Sequence, residues 1–160
     1  MKLNADILYE ALADWTSVCR MNHEKETAEL ERPVFYKGGE MLRSCVYIAE
    51  EKQLPPHPPR ETKGLLLLVG EDVAPVWRNG NCAVFRLDAS CDILCLFNFV
   101  QGIFDRYDQW DEKMRAILED DADIGRLLST SQEIFDNQIT VVDDTKGAHP
   151  FQSEQSFGRG

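Results

Sequence analysis

Apolar positions along the chain follow two periods. In residues 3–15, Leu3, Ile7, Leu8, Ala11, Leu12 and Trp15 fall at steps of three and four, which predicts an amphipathic helix with Asn4 as its N-cap. The pattern fades over residues 16–32: Val18 and Met21 alternate briefly, and the charged run 22–32 reads as a solvated loop or short helix, with His23 at the surface. Residues 34–36 (VFY) form a short apolar segment ended by Gly38-Gly39, and residues 39–44 offer a helical turn. Residues 45–49 (CVYIA), β-branched and aromatic, predict a strand.

The segment LPPHPPRETK that follows contains four prolines around His57, which exclude helix and ladder pairing and dictate an extended surface loop. Residues 64–70 (GLLLLVG) lack polar alternation, so the central strand of an α/β sheet, covered on both faces, is placed there. Asn79-Gly80 is a turn dipeptide suited to closing a hairpin, and residues 82–87 (CAVFRL) predict a further strand.

Residues 91–119 carry the strongest signal. This stretch has no proline and one glycine, Gly102, and as a helix it would be about 43 Å long. Ile93, Leu96/Phe97, Val100, Ile103/Phe104, Tyr107, Trp110, Met114 and Ile117/Leu118 repeat every 3.5 residues. Asp88, Ser90 or Asp92 can cap it. The first half, apolar on most sides, belongs to a core; the second keeps only a stripe. Val100, Ile103, Tyr107, Trp110, Met114 and Ile117 are therefore the expected dimer seam. The acidic run 119–123 breaks the helix, and Asp121 can cap a following one that carries Ile124, Leu127 and Leu128.

The predicted fold is thus α/β, a small mostly parallel sheet of three to five strands flanked by helices, with one long C-terminal helix followed by short ones. The expected organisation is a regulatory module over residues 1–119 containing the helix 91–119, short helices and the first strand of a truncated following domain over 120–145, and a disordered tail over 146–160.

Charge and cysteine usage narrow the function classes. Seventeen basic against 28 acidic residues give a net charge of −11, which repels phosphates and argues against nucleic-acid binding. The longest apolar run, 65–69, is far shorter than the roughly 20 residues that span a membrane. Five cysteines, an odd number without a Cys-x-x-Cys pair, fit a reducing compartment, and the N-terminus lacks the pattern of a secretory signal, so a cytoplasmic protein is expected. Cys91 and Cys95 share a helix face but lack a second ligand pair, so no metal site and no cofactor are assigned. The histidines fall in loops or the tail, and no nucleophile, base or paired-carboxylate constellation emerges, so no enzyme is expected.

Two places are candidate ligand contacts. Gly70, Glu71 and Asp72 lie at the carboxyl end of the central strand, where small ligands bind open α/β sheets, although the turn lacks the repeated glycines of a phosphate cradle. Asn98 and Gln101 sit three apart amid apolar neighbours on the long helix, where they could contact a ligand or fix the register of a helix pair.

The order of CVYIA, the proline loop, GLLLLVGE, a further strand, the string from Leu96-Phe97-Asn98 to Tyr107-Asp108-x-Trp110-Asp111, and the Ile134-Phe135-x-Asn137 turn resembles the N-terminal portion of PucR-type (purine-catabolism-regulator-like, CdaR-like) bacterial transcription regulators. The resemblance covers roughly residues 1–145. It implies a sensory or oligomerising α/β module, with the strand QITVVDD opening a middle domain and a helix-turn-helix domain closing the chain. Here the sequence departs from the pattern by stopping, so a module without its DNA-binding domain is expected. Its expected partners are a second copy or a full-length regulator, together with a small-molecule effector. The competing expectation is a stand-alone scaffold, or a dominant-negative dimerisation partner, with no ligand.

Overall fold

The computed structural model describes residues 3–22, 29–60, 64–120 and 123–134. The chain divides into two compact units between Gln109 and Trp110.

In the first unit, helix α1 (Ala5–Trp15) begins as its sequence predicts: the Asn4 side chain accepts from the Ile7 N–H at 2.9 Å. Five strands follow, β1 (Val18–Arg20), β2 (Glu31–Phe35), β3 (Cys45–Glu50), β4 (Leu65–Val69) and β5 (Ala83–Leu87), in the spatial order β1-β5-β4-β3-β2. β2, β3, β4 and β5 run parallel to one another, while β1 runs antiparallel against β5 and pairs Val18 with Leu87 and Arg20 with Phe85.

The α/β class holds, but the sheet is mixed rather than the mostly parallel one expected. The antiparallel edge comes from a strand of three residues, too short for period-two alternation to register. Tertiary contacts hold it: the Arg20 guanidinium pairs with Asp6 at 2.8 Å and lies over the Tyr9 ring of α1 at 4.7 Å.

β4 is central, and all five of its residues are buried. Its alternating side chains serve two cores, as the absence of polar alternation requires. Leu65, Leu67 and Val69 face one cluster with Leu8 and Leu12 of α1 and with Leu96, Val100, Ile103 and Phe104 of the long helix. Leu66 and Leu68 face another with Tyr36, Met41, Val73 and Trp77, which belong to the connections between strands.

Those connections contain little regular structure: a 3₁₀ turn at Glu51–Gln53 and the four-residue helix α2 (Pro75–Arg78). Asn79-Gly80 closes no hairpin. Asn79 is the C-cap of α2, because β4 and β5 are parallel and their connection must cross over the sheet. The helical turn expected within residues 39–44 is not formed either. The proline loop is held from beneath, where the Trp77 Nε1–H donates to the Pro55 carbonyl at 3.0 Å. Gly64, entering β4 at φ +117°, has the carbonyl oxygens of Leu42 and Cys45 at 2.5 and 2.9 Å from where a Cβ would sit, so only glycine fits.

The long helix α3 spans Ile93–Asp120 and passes from the first unit into the second. Of the caps considered, Asp92 serves: its carboxylate accepts from the Cys95 N–H at 2.8 Å. α3 is not the final element, since α4 (Ile124–Gln132) follows, capped by Asp123. The Asp121 cap assigned from sequence lies outside the described residues, as do His23, the strand expected at 137–144 and the tail at 146–160.

Candidate functional site

The carboxyl ends of β3 and β4 open into a cleft of about 560 Å³, lined by Glu50, Glu51, Lys52, Val69, Gly70, Glu71, Asp72 and Ala89. Three of the residues singled out in sequence, Gly70, Glu71 and Asp72, lie here together. The turn follows β4 directly and is tied to the neighbouring strand by the Gly70 N–H, which donates to the Leu87 carbonyl at 3.2 Å. Beneath it, the Arg86 guanidinium donates to the carbonyls of Glu71 at 3.2 Å and Gly70 at 3.4 Å.

The structure also brings in a residue that no sequence pattern singles out. Glu51, in the 3₁₀ turn after β3, accepts from the backbone N–H groups of Glu71 at 3.2 Å and Asp72 at 3.5 Å. Its side chain lies over Gly70, where a Cβ would stand 2.6 Å from Glu51 Oε2 and 2.7 Å from Glu51 Cβ. Gly70 is therefore glycine to admit the chain's own carboxylate, and its φ is not in the left-handed region. Glu51 is 19 positions before Gly70 in a run (EEKQ) that reads as surface charge, so only strand pairing of β3 with β4 reveals the contact.

The 3₁₀ turn is fixed by a reciprocal cap, in which the Glu50 N–H donates to Gln53 Oε1 at 3.1 Å. Lys52 pairs with Glu50 at 2.7 Å and Arg78 with Asp72 at 3.0 Å, so cations stand at both rims.

Asn98 and Gln101 do not join this cleft. Asn98 is exposed and borders a depression with Asp14, Phe99, Gly102 and Arg106 between α1 and α3. Gln101 accepts from Arg32 Nη1 at 3.3 Å, near the start of β2, towards the opposite end of the sheet. α3 runs from the carboxyl ends of the strands towards their amino ends, and this direction separates the two groups.

The expected dimer seam also divides. Val100 and Ile103 are buried in the intrachain core, and Tyr107 packs against it half-buried, so the first part of the 3.5-residue stripe is consumed by the sheet and cannot face another chain. In the second unit Ile117 is buried, and Met114 Sδ accepts from Ser131 Oγ of α4 at 3.6 Å. Trp110 is half-buried. Among the described residues of this unit, the exposed large apolar side chains are Leu118 and Ile124, 57% and 58% exposed.

Neither thiol at the start of α3 is activated. Burial pushes the Cys91 thiol above its ordinary range, and the hydrogen bond to Asp92 does the same for Cys95, so both stay protonated and weakly nucleophilic near neutrality. Among the described residues, no group of three His, Cys, Asp or Glu side chains is placed to hold a metal ion, and no helix is long and apolar enough to cross a membrane.

No family model, curated protein or solved structure matches the chain.

Proposed function

We propose that the chain is a non-catalytic sensory and oligomerisation module of a PucR-like bacterial transcription regulator, taking a small-molecule effector in the cleft at the carboxyl ends of β3 and β4. The observation that carries this reading is the division of α3. Its first half completes the core beneath the sheet that bears the cleft, and the same uninterrupted helix continues into the second unit. A ligand that alters the sheet thus acts on a helix whose later residues belong to the second unit, the minimum a relay requires. The sequence resemblance supports the same reading. The protein works in the cytoplasm in this account.

Dimerisation then uses the exposed apolar residues Leu118 of α3 and Ile124 of α4, with Met114 and Trp110 four and eight residues before Leu118. Sedimentation velocity over a range of micromolar concentrations tests this: a dimer is expected, and Leu118→Glu should dissociate it with the fold intact, because the side chain is exposed. A wild-type chain that stays monomeric throughout would overturn the oligomerisation part. A thermal-shift screen against metabolites tests the sensory part, since a bound effector stabilises by about 2.7 kcal/mol at a hundredfold excess over its dissociation constant. A chain that dimerises yet responds to no metabolite would favour the scaffold reading.

A further inference from the structure

β2 forms one edge of the sheet. Leu3 pairs with Leu30 just ahead of it, and beyond that point no strand among the described residues lies against its outer side. Edge strands are ordinarily blunted by charge, by proline or by a covering element, because their unpaired backbone groups recruit other strands. Here Val34 and Phe35 are 41% and 37% exposed in the middle of the open stretch, and Phe35 stacks at 4.7 Å on Phe97 of α3, one turn after the exposed Leu94. The Tyr36 N–H donates inward to the Ile48 carbonyl at 2.9 Å, so alternation along the ladder turns the Phe35 N–H to the outer side. Pro33 has no N–H, which denies the edge a long ladder and leaves Phe35 as its donor.

The charges around these residues specify one register. The strand and the residues after it read Glu31-Arg32-Pro33-Val34-Phe35-Tyr36-Lys37, with Glu31 and Lys37 both exposed and equally far from Val34. Turned end for end about Val34, the segment sets Glu31 of each copy beside Lys37 of the other, and the Phe35 N–H of each toward the Pro33 carbonyl of the other. A parallel, in-register approach would instead set Glu31 on Glu31 and Lys37 on Lys37. The bulge between Glu31 and Pro33 ends regular pairing there, so the charged ends meet through their side chains. Arg32 is held within its own chain by Asp105 and Asp108.

We infer that the outer edge of β2 is an interaction surface for a second copy of this chain, joined antiparallel about a two-fold axis at Val34 so that the two sheets continue into one. The surface lies in the first unit and uses neither the cleft nor Leu118. A contact of so few residues is weak by itself, and it becomes effective where another contact already holds two chains together.

The test uses the full chain carrying Leu118→Glu, so that the apolar surface of the second unit takes no part. Sedimentation equilibrium from low micromolar to near-millimolar concentration should show monomers passing to dimers. Adding Glu31→Lys, or separately Lys37→Glu, sets like charges together at both ends and should weaken association at least about tenfold. An equimolar mixture of the two variants should recover it, since each supplies the charges the other lacks. Glu31→Lys also lowers the net charge of −11, so general repulsion alone would make that variant associate more tightly, the opposite result. As a second measurement, Val34→Cys in a chain whose exposed Cys19 and Cys95 are replaced by serine should cross-link to itself, because residues facing each other in a non-hydrogen-bonded antiparallel pair stand about 4.5 Å apart at Cα. A parent chain that stays monomeric throughout, charge variants that associate as tightly alone as mixed, or no cross-link at Val34 would overturn the inference. Because Leu118→Glu is present throughout, any of these results leaves dimerisation through Leu118 and the effector reading standing.

Discussion

Arg32 of β2 and Asp108 of α3 meet at 2.7 Å, and the same guanidinium holds Asp105, one turn earlier, also at 2.7 Å. One side chain on an edge strand thereby clasps two consecutive turns of the long helix, just before the helix leaves the first unit at Gln109. All three groups are about half exposed, so ions can screen the clasp.

Arg32→Gln should leave the fold and the core intact while loosening this stretch of helix. Amide hydrogen exchange at residues 105–109 should quicken in the variant and in wild type at high salt, and exchange at the core positions Leu96 and Val100 should not change. Identical exchange at 105–109 in wild type and variant would mean that packing of Phe104 and Tyr107 alone holds the helix.

Gly70→Ala places a Cβ against Glu51 Oε2 and Cβ and should cost about 1–3 kcal/mol, the usual range for overpacking. In Glu51→Gly the obstructing side chain is gone, so adding Gly70→Ala to it should cost much less. A double-mutant cycle by urea denaturation measures the coupling; additive effects would show that the turn resists a side chain at position 70 for another reason.

The Asp92 carboxyl is held below the ordinary carboxylate range by the hydrogen bond from the Cys95 backbone N–H, with the Cys95 thiol contributing next. Since the folded-state value is depressed, the unfolded chain takes up the proton first as pH falls. The stabilisation is complete above the unfolded value of about 3.9 and is lost as pH drops through the folded one. Asp92→Asn keeps a capping acceptor but cannot titrate, so its melting temperature should match wild type near neutrality and fall less steeply below about pH 4. Thermal melts across that window decide it.

Trp77 is 1% exposed and donates to Pro55 beneath the proline loop. Trp77→Phe should keep most of the packing and lose about 1 kcal/mol with the hydrogen bond. Trp77→Ala should lose about 3–5 kcal/mol, because it opens a cavity against Tyr36 and Leu66 as well. Denaturant midpoints separate the two; equal losses would mean that the indole nitrogen, and not the ring, dominates.

Much of the fold was legible because it rests on local pattern. Asn4 announced α1, the uniform run Leu65–Val69 announced the central strand, and the unbroken apolar periodicity announced α3 to within two residues at either end. β1 was illegible because three residues hold no period, and Arg20 fixes it through Asp6, Tyr9 and Phe85, all distant in sequence or on another element. The turn at Asn79-Gly80 was misread because a turn dipeptide specifies a reversal of the chain but not what is reversed.

The sequence by itself determined helices α1 and α3, strands β3, β4 and β5, the burial of β4 on both faces, and that the turn after β4 belongs at the rim of the sheet, since these follow from propensity, periodicity and side-chain polarity along a few neighbouring residues. Only the tertiary structure decided that Glu51 fills that rim and that Val100 and Ile103 belong to the core and not to a seam. A 3.5-residue stripe states that one face of a helix is covered but carries no information about what covers it. A glycine likewise states that something comes close without naming it; here the parallel pairing of β3 with β4 brings Glu51 onto Gly70, a relation that exists only once the strands are side by side.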